Sequence, residues 1–161
     1  MKSHTGIYMM LGKGATYTAS CKQKLNTKSS TEAELVAVDD AMGQVLWTRH
    51  FLAVQGHFIP TKTIYQDNKS TILLAENGKS SSSKRTQHIN VHYFFITDKI
   101  KKGEVKVTFC PTANMLADSF TKPLQGSAFK KMRSIILNMP DTDKASIKHR
   151  SVLGNKNIMG E

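Results

Sequence analysis

Long apolar runs, cysteines and acidic residues are all scarce in this 161-residue sequence. No run of 18 apolar residues occurs, so we expect neither a membrane-spanning helix nor a membrane partner. The first residues carry no long apolar stretch before a cleavage-type site, so no signal peptide is expected. Two cysteines, Cys21 and Cys110, are too few for a disulfide framework. Reduced thiols indicate an intracellular, cytoplasmic location.

The shortage of acids leaves the chain strongly basic. Its 12 Asp and Glu residues stand against 23 Lys and Arg residues, for a net charge of +11. This excess fits a polyanionic partner such as a nucleic acid, although a solvated basic surface is the simpler alternative. With 39% hydrophobic residues, the chain is long enough for one globular domain with a core.

Hydrophobic periodicity predicts an α/β domain over residues 1–138, followed by a flexible tail over residues 139–161. The segment 6–22 has the alternation and the central glycines of a β-hairpin. The remaining predicted elements are helix 29–54, strand 61–66, helix 68–76, loop 79–84, helix 86–102, strand 105–109, short helix 114–121 and helix 127–138.

The long predicted helix carries the first candidate site residue, Glu34. Ser29 and Glu32 have the spacing of a capping box, which accounts for Glu32 structurally. Glu34 instead adjoins the predicted buried stripe, an unfavourable place for an uncompensated carboxylate. We therefore favour Glu34 as a metal ligand over a surface acid. The stripe consists of Leu35, Val38, Met42, Val45, Arg49 and Leu52.

Two further acids lie on other elements. Asp67 follows a predicted strand and precedes a helix, so it is either a helix N-cap or a site residue at the carboxyl end of a strand. Asp118 lies within the short predicted helix 114–121, where an ordinary surface acid is the alternative. Three carboxylates that meet at one sheet edge would suit two magnesium ions, which clamp the attacking and leaving oxygens of a phosphodiester.

Five segments in fixed order connect these residues to a family. They are KSHTGIYMMLGKG, SSTEAELVAVDDAMGQVLW, IYQDNKSTILLAENG, SSKRTQHINVHYFFITDKIKKGEV and NMLADSFTKPLQGSAF, between Lys2 and Phe129. Through them the chain resembles the ribonuclease H domain of a copia-type retrotransposon Pol polyprotein. The resemblance implies an α/β fold, a ribonuclease H-like mixed sheet flanked by helices. It also implies hydrolysis of the RNA strand of RNA–DNA hybrids during reverse transcription.

The same resemblance assigns residues and partners. Glu34, Asp67 and Asp118 correspond to catalytic ligands of two Mg²⁺ ions, with Mn²⁺ as a possible substitute. The loop Ser29–Thr31 (Ser29, Ser30 and Thr31) would touch the RNA strand in the minor groove, with helix capping as the alternative. Lys84 and Arg85 would hold backbone phosphates unless they are merely solvated. The implied partner is the upstream reverse transcriptase region, within cytoplasmic virus-like particles.

The family's first strand, which lies in the middle of the sheet and carries the first of four catalytic acids, precedes the segment matching KSHTG. We therefore expect a sheet without its central strand, either closed over the gap or split. We also expect impaired or absent activity, and poor stability unless upstream polypeptide completes the sheet. The alternatives are a non-catalytic nucleic-acid-binding module and a decayed retrotransposon fragment.

Overall fold

A computed structural model describes residues 3–77 and 90–139, apart from the side chain of Asn90. The strands are β1 (His4–Met9), β2 (Tyr17–Lys22), β3 (Lys62–Gln66) and β4 (Val105–Phe109). The α-helices are α1 (Ser30–Val54), α2 (Lys69–Asn77), α3 (Asn90–Lys101) and α4 (Gly126–Ile136). Short 3-10 helices span Thr112–Asn114 and Leu116–Phe120, and the second is called the Asp118 helix below.

The order of elements follows the prediction, and the short helix at 114–121 differs from it in type. It consists of 3-10 turns, because backbone bonds such as Asp118 N to the Met115 carbonyl close over three residues rather than four. The predicted loop 79–84, the start of the predicted helix 86–102 and residues 140–161 of the predicted tail lie outside the described residues.

The sheet is split into two separate pairs of strands. β1 and β2 are antiparallel, with the register running from His4–Lys22 to Met9–Tyr17. β3 and β4 are parallel, from Lys62–Val105 to Gln66–Phe109. No ladder joins β1 to β3 within the described residues. The α/β class is thus confirmed, and within the described residues no strand lies between the two pairs. Of the two arrangements that were expected, closed or split, the described residues show the split one.

Local chemistry explains where α1 begins. Ser29 has an extended backbone, and its Oγ accepts a hydrogen bond from the Glu32 amide at 3.1 Å. The Glu32 carboxylate accepts from the Lys28 amide at 2.7 Å, one residue before the amide that a standard capping box uses. This bond satisfies a side chain that is only 6% exposed, so Glu32 has the structural role that its position predicted.

The core lies where α1 packs against α2, α3 and the β3–β4 pair. Its fully buried members include Leu35, Met42, Tyr93, Ile96 and Val105. The buried stripe of α1 follows the prediction through Leu35, Val38 and Met42 and then continues through Leu46 and Thr48. The predicted members Val45, Arg49 and Leu52 remain partly exposed. Val45 borders the gap between the strand pairs, and Arg49 pairs with Glu104 at 3.6 Å.

Among the described residues, no helix combines the length and the apolar character that crossing a membrane requires.

Candidate active site in the inter-sheet cleft

The gap between the two strand pairs forms a cleft of about 500 Å³, called the inter-sheet cleft below. Its walls are β1 and β3, and the segment from Cys110 to Lys122 closes one side. The floor is the face of α1 that carries Ala37, Val38, Ala41 and Val45. Glu34, Asp67 and Asp118 all line this cleft, so the structure brings the three predicted acids to one place.

Contacts with α1 give the direction of each wall. β1 runs in the same direction as α1, since Thr5 bonds to Asp40 at 2.8 Å while Met9 lies beside Thr48, two turns further along the helix. β3 runs the opposite way, since its last residue, Gln66, bonds to Glu34 near the start of α1. The facing strand edges are therefore antiparallel, and neither forms a ladder across the cleft in the part of the chain described.

Gln66 is the residue that links two of the acids. Its Nε2 donates to Glu34 Oε2 at 3.2 Å. Its Oε1 accepts from the backbone amides of Asp67 at 2.8 Å and Asn68 at 3.1 Å. Gln66 is only 5% exposed, and burial of an amide with both ends bonded fixes the strand end against α1.

Asp67 is not the N-cap of α2. Asn68 takes that role, because its Oδ1 accepts from the amides of Ser70 at 3.0 Å and Thr71 at 3.2 Å. The Asp67 carboxylate instead accepts a hydrogen bond from the Thr112 hydroxyl at 2.9 Å. The capping alternative is thus wrong for Asp67, whose side chain lines the cleft.

Asp118 is carried by its 3-10 helix, which packs closely on β1. A Cβ added to Gly6 would lie 2.6 Å from the Ala117 carbonyl oxygen, so only glycine allows this approach. The Ser20 hydroxyl of β2 donates to the Phe120 carbonyl at 2.6 Å and secures the same contact. Asp118 itself pairs with Lys122, Nζ to Oδ2, at 2.7 Å.

The three carboxylates, called the acidic cluster below, interact electrostatically. Burial raises the pKa of Glu34, and the negative charges of Asp67 and Asp118 raise it further. The Gln66 hydrogen bond and the Lys122 charge act in the opposite direction. The pKa of Lys122 is raised by its hydrogen bond to Asp118 and by the charges of all three acids. The acids therefore share one electrostatic environment, in which Lys122 takes part.

The acidic cluster is not arranged as a finished metal site. Among the described residues, no three His, Cys, Asp or Glu side chains are grouped so that they could hold a metal ion together. One oxygen of each carboxylate is also engaged, by Gln66, Thr112 or Lys122. Asp39 and Asp40 offer no replacement, since they bond to His92 and Thr5. The residues present do not fit Mg²⁺ as they stand, and metal binding stays a prediction.

The predicted substrate-binding residues fall into two groups. Ser29 caps α1, as the structural alternative held, while Ser30 is exposed and Thr31 is half-buried beside it. Lys84 and Arg85 lie outside the described residues. Contact of any of them with nucleic acid stays a prediction.

The sequence reasoning missed Gln66, Thr112 and Lys122. Gln66 stands at an inward strand position where the apolar alternation is broken, a signal that it has a buried polar role. Lys122 follows Asp118 by four residues, a spacing that often places opposite charges together on a helix. Thr112 gives no sequence signal, because its contact with Asp67 depends on the path of the loop after β4.

Comparisons with known proteins agree with the sequence resemblance. The chain is 33% identical over 135 residues to the retrovirus-related Pol polyprotein from transposon RE1 of Arabidopsis thaliana, which covers 83% of this chain and 9% of that protein. It is 30% identical to the corresponding polyprotein from transposon TNT 1-94 of Nicotiana tabacum, over 84% of this chain and 10% of that one.

A more distant relative is the transposon Ty1-DR5 Gag-Pol polyprotein of Saccharomyces cerevisiae, which is 28% identical over 80% of this chain. The chain spans about a tenth or less of the length of these relatives. Its homologues are thus Pol polyproteins of retrotransposons, which confirms the resemblance at that level. No family model matches the chain, and no solved structure matches it.

Proposed function

We propose that this chain is a ribonuclease H-like domain of a retrotransposon Pol polyprotein, ancestrally a hydrolase of the RNA strand in RNA–DNA hybrids. We further propose that the chain is impaired or inactive as it stands. The observation that carries this proposal is the convergence of Glu34, Asp67 and Asp118, from three separate elements, at one cleft. Similarity to retrotransposon Pol polyproteins over most of the chain supports it.

Impairment follows from the state of the acidic cluster. Mg²⁺ takes near-octahedral sets of oxygen ligands, and Mn²⁺ accepts similar ones. Glu34, Asp67 and Asp118 are the residues that would hold these ions, yet they are not grouped for it among the described residues. A further carboxylate and a closer approach of the existing three would be needed, so we expect weak metal binding by this chain.

The proposed partners are an RNA–DNA hybrid and the upstream reverse transcriptase region. The net charge of +11 favours a polyanion, and Ser30, Thr31, Lys84 and Arg85 are the proposed contacts. We propose that one extended strand from the upstream region enters the inter-sheet cleft, parallel to β3 and antiparallel to β1. Such a strand would pair both open edges and cover the apolar floor. The proposed setting is a cytoplasmic virus-like particle.

The test is cleavage of a labelled RNA–DNA hybrid with Mg²⁺ or Mn²⁺. We would compare this chain with a version extended upstream by the central strand and its aspartate. We expect only the extended protein to cut, and Asp67→Asn to abolish cutting. Asp98→Asn is the matched control, because Asp98 is an exposed acid outside the cleft that pairs with nearby Lys102. Cleavage by the short chain that Asp67→Asn removes would contradict the proposed impairment.

A second candidate is a nucleic-acid-binding module without catalysis. It is favoured by the basic charge together with the lack of a grouped metal site among the described residues. Hybrid binding by both proteins that weakens steeply with salt, without cleavage by either, would support this candidate. A chain that neither binds nor cuts would match a decayed fragment.

A further inference from the structure

The end of the inter-sheet cleft away from the acidic cluster carries a buried lysine, Lys62. We propose that Lys62 is a specificity-determining contact for the strand that enters this cleft, and that it binds a carboxylate side chain near the start of that strand. The occupant, an extended strand of the upstream region, is that of the proposed function, on which this inference rests. Such a strand would need an acidic residue at one defined position.

Lys62 lies on the face of β3 that is turned toward α1. Side chains alternate along a strand, so Lys62 and Gln66 share one face, and Gln66 reaches Glu34 of α1. Lys62 is only 8% exposed. Burial lowers the pKa of its ammonium group, and the charge of Arg49 lowers it further. The surroundings of Lys62 are therefore unfavourable for its positive charge.

The described residues supply no carboxylate that compensates this charge. Glu104 is a neighbour, since its backbone carbonyl accepts a hydrogen bond from the Lys62 amide at 3.2 Å. Its carboxylate instead pairs with Arg49 at 3.6 Å and with Lys99 at 3.2 Å. Among the described residues, no hydrogen bond or ion pair reaches the Lys62 ammonium group. A buried cation without a partner is costly, so a carboxylate supplied by the occupant would stabilise it.

The two ends of the cleft differ in charge. Lys62 and Gln66 are four residues apart on β3, roughly 13 Å, and the acidic cluster begins beside Gln66. A strand parallel to β3 would start beside Lys62 and end beside Asp67. A carboxylate near its start would meet a cation, whereas a carboxylate near its end would meet three like charges.

The rest of the lining favours a peptide strand over a nucleic acid phosphate as the partner of Lys62. The floor consists of apolar side chains of α1, including Ala37, Ala41 and Val45. The walls β1 and β3 present strand edges that have no ladder partner across the cleft in the part of the chain described. An extended peptide can pair with such edges and cover an apolar floor, and a sugar–phosphate backbone can do neither.

The experiment fuses a six-residue strand, the length of β1, to the 161-residue chain through a Gly-Ser linker before Met1. This attachment suits a strand antiparallel to β1, which ends where β1 begins. One fusion carries Glu-Thr-Val-Thr-Val-Thr, and a second begins with Gln in place of Glu. A third carries Val-Thr-Val-Thr-Glu-Thr, which has the composition of the first but places its carboxylate at the acidic end.

Thermal unfolding followed by circular dichroism compares the three fusions. We expect the first to melt on the order of 5 °C above the second, because its carboxylate forms a charge-assisted hydrogen bond with Lys62. The third should melt no higher than the second, because its carboxylate lies beside the acidic cluster.

Substitution of Lys62 tests whether this residue binds the carboxylate. In a Lys62→Met background, the difference between the first two fusions should fall to within about 1 °C. Lys106→Met is the matched control, because Lys106 is an exposed lysine on β4 that does not line the cleft. The difference should persist in that background.

A first fusion that melts no higher than the second overturns the inference, and this comparison holds even where Lys62→Met fails to fold. A difference that persists in the Lys62→Met background overturns it as well. Equal melting temperatures, together with weaker hybrid binding by Lys62→Met than by Lys106→Met, would overturn it in favour of a nucleic acid contact. Failure of the extended protein to cut a hybrid would instead count against the proposed function alone.

Discussion

The two faces of α1 meet different surroundings. One face, with Leu35 and Met42, packs against α2 and α3 and is fully buried. The other face, with Ala37, Ala41 and Val45, forms the floor of the inter-sheet cleft and stays partly exposed. On the first side, α2 and α3 cover the buried residues of α1. On the second side, no strand among the described residues covers the apolar face, so the core on the first side forms without one.

Shortening an apolar side chain to alanine should give the largest difference in unfolding free energy between these two faces. Ile96 on α3 is fully buried against α1, so Ile96→Ala should cost about 2–5 kcal/mol of unfolding free energy. Val45→Ala, on the cleft face and only partly buried beside the core, should cost less, about 1 kcal/mol. Urea denaturation followed by circular dichroism measures both. Equal costs would show that the cleft face is as tightly packed as the core in solution.

Gln66 offers a sharper test at the boundary between the faces. Gln66→Leu leaves Glu34 and two backbone amides without a partner, so we expect a loss of about 1–3 kcal/mol. Gln44→Leu is the control, because Gln44 makes one long contact, 3.4 Å to Thr48, on the same helix as Glu34. Urea denaturation of the two variants compares them. A Gln66→Leu variant as stable as the Gln44→Leu variant would contradict the role of Gln66.

Asn68 tests the start of α2. Asn68→Ala removes the cap and should cost about 1 kcal/mol, while Asn68→Asp should stay within a few tenths. Thermal unfolding reports the difference. Asp67→Ala should be less costly, since the Asp67 side chain caps no amide of α2. A larger loss of stability from Asp67→Ala than from Asn68→Ala would indicate that Asp67 caps α2.

Substitution of Glu34 should have the smallest effect on stability, and this effect should depend on pH. Its folded-state pKa is raised by burial and by the neighbouring acids, so ionised Glu34 destabilises the fold once the pH exceeds the ordinary value of about 4.5. Glu34→Gln should therefore raise the melting temperature at pH 7 by on the order of 2 °C.

The advantage of Glu34→Gln should fade as the pH falls, because protonated Glu34 is also neutral. Melting curves from pH 4 to pH 8 measure it, with Glu76→Gln on α2 as the control. An advantage that persists unchanged at pH 4 would contradict the electrostatic explanation.

Much of this fold could be predicted from local chemistry. The start of α1 follows from Ser29, and the core contacts of Tyr93 and Ile96 follow from helical spacing. For the sheet, the sequence left two arrangements open, a closed gap or a split, since strand pairing depends on long-range contacts. Of the site, the meeting of three acids was predicted. The Gln66 bridge and the Thr112 contact were not, because they depend on how loops and strand ends meet in space.

The close contact between Gly6 and Ala117 has a thermodynamic consequence. It ties Asp118 to the β1–β2 hairpin, whereas Asp67 directly follows β3 in the other strand pair. Any ion that drew these two carboxylates together would also draw the two halves of the sheet together. By linkage, the factor by which the ion raised the affinity of the cleft for a strand would equal the factor by which that strand raised the affinity for the ion. Pairing of the strand and binding of the ion would then be thermodynamically coupled.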